Sequence, residues 1–262
     1  MIGMPLVFVG HGSPMNAMES NAWTAAWEGL AKRIPRPRSI LCLSAHFVTR
    51  GLYAVDAVTP KTIHDFYGFP KEMYDLRYPA PGSPELAARA VELLNGQCRA
   101  TGEWGLDHGA WSVLLRMYPQ ADIPVVQLSL DLSLKPDEQL KIGETLRPLR
   151  REGVLILGSG NIVHNLREIS MARPEPFHWA RSFGEGMQEV VLNGDYGKAA
   201  DYERIPGCRE AIASTEHFIP LLNVLGAADR NDKAEAFNHD YLWGSLSMTG
   251  YLLSEEEKGE PV

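Results

Sequence analysis

The chain has 262 residues, 45% of them hydrophobic and 22% charged, and its 25 Lys and Arg against 33 Asp and Glu leave a formal net charge of −8. That content supports one large packed core and is too apolar for a disordered chain. The acidic balance offers no attraction to nucleic acid phosphates or anionic lipid, so neither is expected as a partner.

The first residues lack the basic region and the long apolar run of a signal peptide. The apolar run at 6–9 reads as a first strand and leads into Gly10-His11-Gly12-Ser13-Pro14. A second strand at 40–44 leads into Ala45-His46-Phe47, and a third is expected at 53–58. The segment 64–70, HDFYGFP, reads as an aromatic loop that either lines a flat pocket or is held by its own rings. Ser83-Pro84-Glu85 supplies a cap, a first-turn proline and an early acid for the helix that continues LAARAVELL. Asp107 either orients His108 or caps the helical stretch that follows Trp111.

Further along, 125–129 reads as a strand, and Pro136 opens a helix running to about Arg150 with basic last turns. The strand at 154–157 leads into GSGNIVH, which ends at His164. Residues 177–192 and 216–225 read as helices, and 246–253 as a last strand. The acidic, proline-ended tail at 255–262 is expected to fray, leaving 1–254 as a single domain. No apolar run reaches the length of a membrane span. Cys42, Cys98 and Cys208 form no CxxC pair and fit reduced thiols in the cytoplasm.

Strands alternating with helices predict an α/β domain with a mainly parallel central sheet flanked by helices. Ligands in such folds sit beyond the carboxyl ends of the strands. Three of the predicted strands are followed closely by a histidine, so His11, His46 and His164 are expected to converge on one edge. Neutral imidazole is both a common metal ligand and an acid/base near neutral pH. The glycines of GSGNIVH lack the third glycine of a dinucleotide turn and the Lys of a P-loop, so no nucleotide site is expected. Glu216 and His217 would point to different faces of a helix, so only one of them would reach a given metal. His178 and His239 read as surface residues.

The ordered set VFVGHGSPMNA (7–17), LSAHF (43–47), HDFYGFP (64–70), LDHGAW (106–111), PVVQLSL (124–130), GSGNIVHNL (158–166), TEHFIPLL (215–222) and WGSLSMTGYLL (243–253) spans nearly the whole chain. It resembles the class III extradiol ring-cleaving dioxygenases of the LigB-type superfamily, and within them the 4,5-DOPA dioxygenase branch. The resemblance implies one divalent metal per chain, held by His11, His46 and His217, with Glu216 as the fallback third ligand. Fe(II) is the metal implied for oxygenase activity, and zinc is expected in purified protein. His164 resembles the family's acid/base, and His108 a pocket histidine. Phe47, His64, Tyr67 and Trp111 are implied to line the substrate, a small catechol opened with O2 by a monomer or small homo-oligomer. Family members often carry His-Pro where this chain has Ile212-Ala213, which leaves the geometry at the third ligand open. The competing reading is a metal-binding protein of the same fold without oxygenase activity, chelatase-like or signalling.

Overall fold

A computed structural model describes residues 3–255. In chain order the elements are β1 (Leu6–Gly10), α1 (Ala22–Arg33), β2 (Ser39–Val48), β3 (Leu52–Val55), α2 (Lys71–Asp75), α3 (Pro84–Leu93), β4 (Cys98–Thr101) and α4 (His108–Met117). They continue with β5 (Val125–Leu130), α5 (Pro136–Leu146), β6 (Val154–Gly160), α6 (His178–Leu192), α7 (Cys208–Ala211) and α8 (Ile219–Gly226). The last strands are β7 (Asp232–Phe237), β8 (Tyr241–Leu242), β9 (Leu246–Ser247) and β10 (Gly250–Glu255).

Eight strands form one sheet in the order β4-β3-β5-β2-β6-β1-β10-β7. The central strands β5, β2, β6 and β1 run parallel to one another, and antiparallel pairs appear only toward the edges. Both faces are covered. Leu6, Phe8, Leu41, Leu43 and Ile156 pack against α5, α6 and α8, while Val7, Val9, Ile40, Leu155 and Leu157 pack against Trp27 of α1 and Trp111 of α4. Burial on both faces is why these strands are written as unbroken apolar runs rather than alternating ones.

The expected fold class holds, with several boundaries moved. The strand expected at 53–58 is β3 and ends at Val55. The helix opened by Pro136 stops at Leu146 and tightens into a 3-10 turn over Arg147–Glu152. Pro148 lacks the N–H that a further α-turn needs. Phe177 caps α6 instead of opening it. The helix expected from 216 begins only at Ile219, so Glu216 and His217 lie in the turn before it. The last expected strand divides in two: Leu246–Ser247 pairs with β8, and Gly250–Glu255 joins the main sheet. Glu255 closes that strand, and the rest of the expected tail lies outside the described residues. Helix α1 and strands β4 and β7 had no clear signal. The two strands are short and half-exposed, so little apolar periodicity marks them.

Among the described residues, no helix is long and apolar enough to cross a membrane. Cys42, Cys98 and Cys208 are all unpaired. A buried ion pair ties the N-terminal segment to an edge strand. Arg150 meets Asp232 at 2.6 and 2.8 Å and donates from Nε to the Met4 carbonyl at 2.7 Å. Removing the carboxylate would leave the buried guanidinium its longer contact to Asp229 at 3.7 Å, so Asp232→Ala is expected to cost about 3 kcal/mol of stability, measured by urea unfolding.

Candidate metal centre

Because β1, β6 and β2 are adjacent and parallel, their carboxyl ends open on one edge of the sheet. His11 directly follows β1, and its amide donates to the Gly160 carbonyl at 2.9 Å. His46 lies near the end of β2, where the register against β5 slips between Leu43 and Val48. Irregularities of this kind re-aim side chains at sheet edges.

His164 follows β6 and is held by its backbone. Its amide donates to the Ala211 carbonyl at 2.9 Å, and it bridges to Ile212 and Leu246. Ile212, at the position of the departure from His-Pro, is therefore a backbone partner of His164. His217 arrives from the turn before α8, and its carbonyl accepts from the Asn161 amide at 2.9 Å. A Cβ at Gly160 would lie 2.1 Å from that carbonyl oxygen, so only glycine lets the turn come this close. His108 opens α4. The next residue is Gly109, where a Cβ would lie 2.5 Å from Ser44 Oγ and 3.0 Å from a His46 ring carbon.

The five histidines converge. Ring centroids of His11, His46 and His217 are 5.1, 5.1 and 5.3 Å apart. One ring nitrogen from each of these three lies within 4.8 Å of the other two. His108 packs on His46 at 3.9 Å between centroids, and His164 stacks on His217 at 3.4 Å with an interplanar angle of 7°.

Hydrogen bonding assigns the His11 tautomer. Ser159 Oγ donates to the Gly109 carbonyl at 2.6 Å, so it must accept from His11 Nδ1 at 2.9 Å. His11 Nε2 is then bare, and it faces His46 Nε2 at 3.2 Å. Two imidazole nitrogens each about 2.0–2.1 Å from one ion would sit about 2.8–3.4 Å apart at octahedral or tetrahedral angles. The donor set therefore fits a metal ion. The clusters His46/Asp65/His108 and His164/Glu216/His217 also satisfy the spacing, but each shares a residue with the first set and is not a separate site.

Burial holds His11 and His217 well below the usual imidazole range, and repulsion from neighbouring histidines adds to it. Burial also pushes His46 down to about 3, with His108 assisting and Asp65 opposing. His164 is pushed down to about 4 by burial, against the attraction of Glu216. All four rings are therefore neutral at pH 7, the form in which imidazole binds a metal or accepts a proton.

Asp107 caps α4, accepting from the Ala110 amide, Ser44 and Gln127, so capping is the alternative realised. The carboxylate partner of His108 is Asp65, which sequence reading passed over. Its Oδ2 lies 2.9 Å from His108 Nδ1 and its Oδ1 accepts the His108 amide at 2.9 Å. Burial alone would raise Asp65, but the bonds from His108 outweigh it and hold the carboxyl below its usual range. The aromatic loop next to His64 was the one available signal. Glu216 Oε1 lies 3.3 Å from His217 Nδ1 and accepts from Ser214 at 2.6 Å. It sits beside His217 and outside the set made by His11, His46 and His217.

The implied substrate-lining residues do not gather in one place. Phe47 is buried and stacks on Trp104 at 4.9 Å, along a cleft shared with Arg50 and Tyr53. Trp111 is fully buried, and its indole N–H donates to the Ile63 carbonyl at 2.8 Å. His64 packs against Trp111 and Phe66, with its Nε2 3.1 Å from the Leu76 carbonyl. Tyr67 is 92% exposed. Phe66, another ring of the aromatic loop, packs edge-on against His108 at 5.6 Å between centroids.

Residues 6–253 match the family model of the catalytic LigB subunit of aromatic ring-opening dioxygenase. The chain is 44% identical over 251 residues to 4,5-DOPA dioxygenase extradiol of Escherichia coli K12, covering 94% of this chain and 93% of that one. It is 38% identical over 254 residues to the protein of the same name from Beta vulgaris, covering 93% and 94%. A crystal structure of an uncharacterized protein from Escherichia coli K12 superposes with a TM-score of 0.84 at 39% identity, covering 95% of this chain and 99% of that one. With the matching motifs in order and the histidines gathered at one sheet edge, the chain belongs to the LigB family of aromatic ring-opening dioxygenases and is an extradiol ring-cleaving enzyme.

Proposed function

We propose that the enzyme opens a catecholic ring with dioxygen in a metal-dependent reaction, and that its substrate is of the 4,5-DOPA type. The observation that carries this reading is a neutral histidine, His164, stacked against one member of a three-histidine donor set. His11, His46 and His217 would hold one divalent metal per chain through ring nitrogens. When bound, a redox-capable ion such as Fe(II) acidifies the catechol hydroxyls and supplies the electron chemistry dioxygen requires, whereas zinc supplies only the acidification.

A catechol binding through both oxygens must release a proton. His164 is the residue to take it, because its low pKa leaves a ring nitrogen unprotonated at pH 7. His108 is engaged at Nδ1 by Asp65, which leaves its Nε2 for the substrate or dioxygen. Tyr67 and His64 are assigned to the substrate side of the aromatic loop, and the buried Trp111 to its support, whereas Phe47 stacks on Trp104 in a separate cleft. We place the enzyme in the cytoplasm, where unpaired cysteines stay reduced.

The test is Fe(II)-reconstituted protein under air with DOPA and a panel of other catechols. Oxygen uptake and a yellow ring-opened semialdehyde are expected, and the zinc-loaded protein should yield neither. An iron-occupied sample that consumes no oxygen with any catechol would overturn the reading in favour of a metal-binding protein without oxygenase activity.

A further inference from the structure

Strand β5 is buried along all six of its residues, yet it carries a large polar side chain, Gln127. Its carboxamide exchanges two hydrogen bonds with Asp107. Gln127 Oε1 accepts the Asp107 amide at 2.8 Å, and Nε2 donates to Asp107 Oδ2 at 2.7 Å. Asp107 is itself fully buried. Its Oδ1 accepts from the Ala110 amide at 3.2 Å, capping the helix that begins with His108, and from Ser44 Oγ at 2.7 Å. Ser44 Oγ in turn accepts the His46 amide at 3.3 Å. We propose that Asp107, held by Gln127, is a positioning residue for two histidines of the site: it fixes the backbone of His46 through Ser44 and the helix start bearing His108 through its cap. The inference rests on the reading of His46 as a metal ligand.

His46 lies where strand pairing gives it little support. The register of β2 against β5 breaks after Leu43 and resumes at Val48, and pairing with β6 ends at Ser44. Backbone released from a ladder inside a protein needs other partners. Ser44 supplies one, and its hydroxyl is oriented because it donates to Asp107. Gly109 lets the parts meet. A Cβ there would lie 2.5 Å from Ser44 Oγ, 3.0 Å from a His46 ring carbon and 3.3 Å from Asp107 Oδ1. The Gly109 carbonyl also accepts from Ser159, the residue that holds His11. Burial and repulsion from Asp65 raise the Asp107 carboxyl, and the bonds from Gln127 and Ser44 oppose them. A carboxylate away from water is costly unless donors surround it, and here three converge on its two oxygens.

Asparagine caps a helix as well as aspartate does, but it offers one acceptor and one donor. In Asp107→Asn an N–H therefore faces either Gln127 Nε2 or the Ala110 amide, whichever way the new amide turns. Adding Gln127→Glu reverses the pair: the new amide donates to the new carboxylate, and every bond has a partner again. Zn(II) affinity, measured by chelator competition, is expected to fall about tenfold in Asp107→Asn and to return to within about threefold of wild type in Asp107→Asn/Gln127→Glu. A residue that only supports the fold would lower the melting temperature of the metal-free protein and leave its metal affinity alone. An affinity within about twofold of wild type in Asp107→Asn overturns the inference, as does a double variant that melts like wild type yet stays about tenfold weaker. Should Asp107→Asn not fold, Ser44→Ala takes its place, since it deletes the link to His46 and leaves the cap and the Gln127 pair. The same loss is expected there, and an unchanged affinity overturns the inference. If wild-type protein binds no zinc, the metal reading fails, and hydrogen exchange of the metal-free protein decides the positioning. The His46 amide should then exchange about tenfold faster in Ser44→Ala than in wild type, and an unchanged rate overturns the inference.

Discussion

His11→Ala is expected to abolish stable metal binding and ring cleavage together. His11 is the donor whose tautomer is most firmly held, through Ser159 and the Gly109 carbonyl, and its bare Nε2 faces the shared centre. Loss of an outer partner of a metal ligand typically costs ten- to hundredfold in affinity, so loss of a ligand should cost more than about hundredfold. His46→Ala and His217→Ala should behave alike. Glu216→Gln should cost less than about tenfold, because Glu216 stands beside His217 and outside the converging nitrogens. Metal content and Zn(II) titration of the four variants check the order. If Glu216→Gln lost more affinity than His217→Ala, the third ligand would be the carboxylate.

The second large effect is expected at His164. Its replacement by glutamine should lower kcat by about 10²–10⁴-fold, the usual contribution of a general base, while the metal titration stays that of wild type. The pH dependence separates this role from a structural one. Burial holds His164 down to about 4, so its base form persists as pH falls below the ordinary imidazole value. The rate ratio of wild type to His164→Gln should therefore stay flat from about pH 7.5 to 5.5. A ratio that halves near 6.5 would mean an ordinary imidazole and would remove His164 from the role of buried base. A variant that loses metal along with rate would make His164 a support for His217, on which it stacks at 3.4 Å.

Local pattern carried much of the architecture. The runs that became β1, β2, β5 and β6 are apolar because both of their faces are covered, and a sequence can state that without knowing the partners. Ser83 and Pro136 announce their helices because capping and first-turn proline are interactions within a few residues. The elements that escaped notice include edge strands with mixed exposure, the short α2, α7 and β8, and α1, whose Asn21–Thr24 capping box leads into a helix of modest amphipathic pattern. The start of α8 was misplaced because the first-turn proline Pro220 was not weighed against TEHF. Pro220, in the first turn of α8, keeps residues 215–218 outside the helix, and their turn packs closely on Gly160.

The same division runs through the site. The sequence by itself determined that His11, His46 and His164 would meet, because parallel strands bring their carboxyl ends to one edge whatever the loops do. Only the tertiary structure decided how their side chains are placed. That Asp65 rather than Asp107 meets His108, that a ring nitrogen of His217 lies near those of His11 and His46, and which ring nitrogen of His11 is bare all depend on contacts between residues mostly far apart in the chain. Asp107 adjoins His108 in the chain, whereas Asp65 lies far from it. A helix cap takes up Asp107, and the aromatic loop delivers Asp65, because hydrogen bonds select by distance and direction where strand pattern selects only by side.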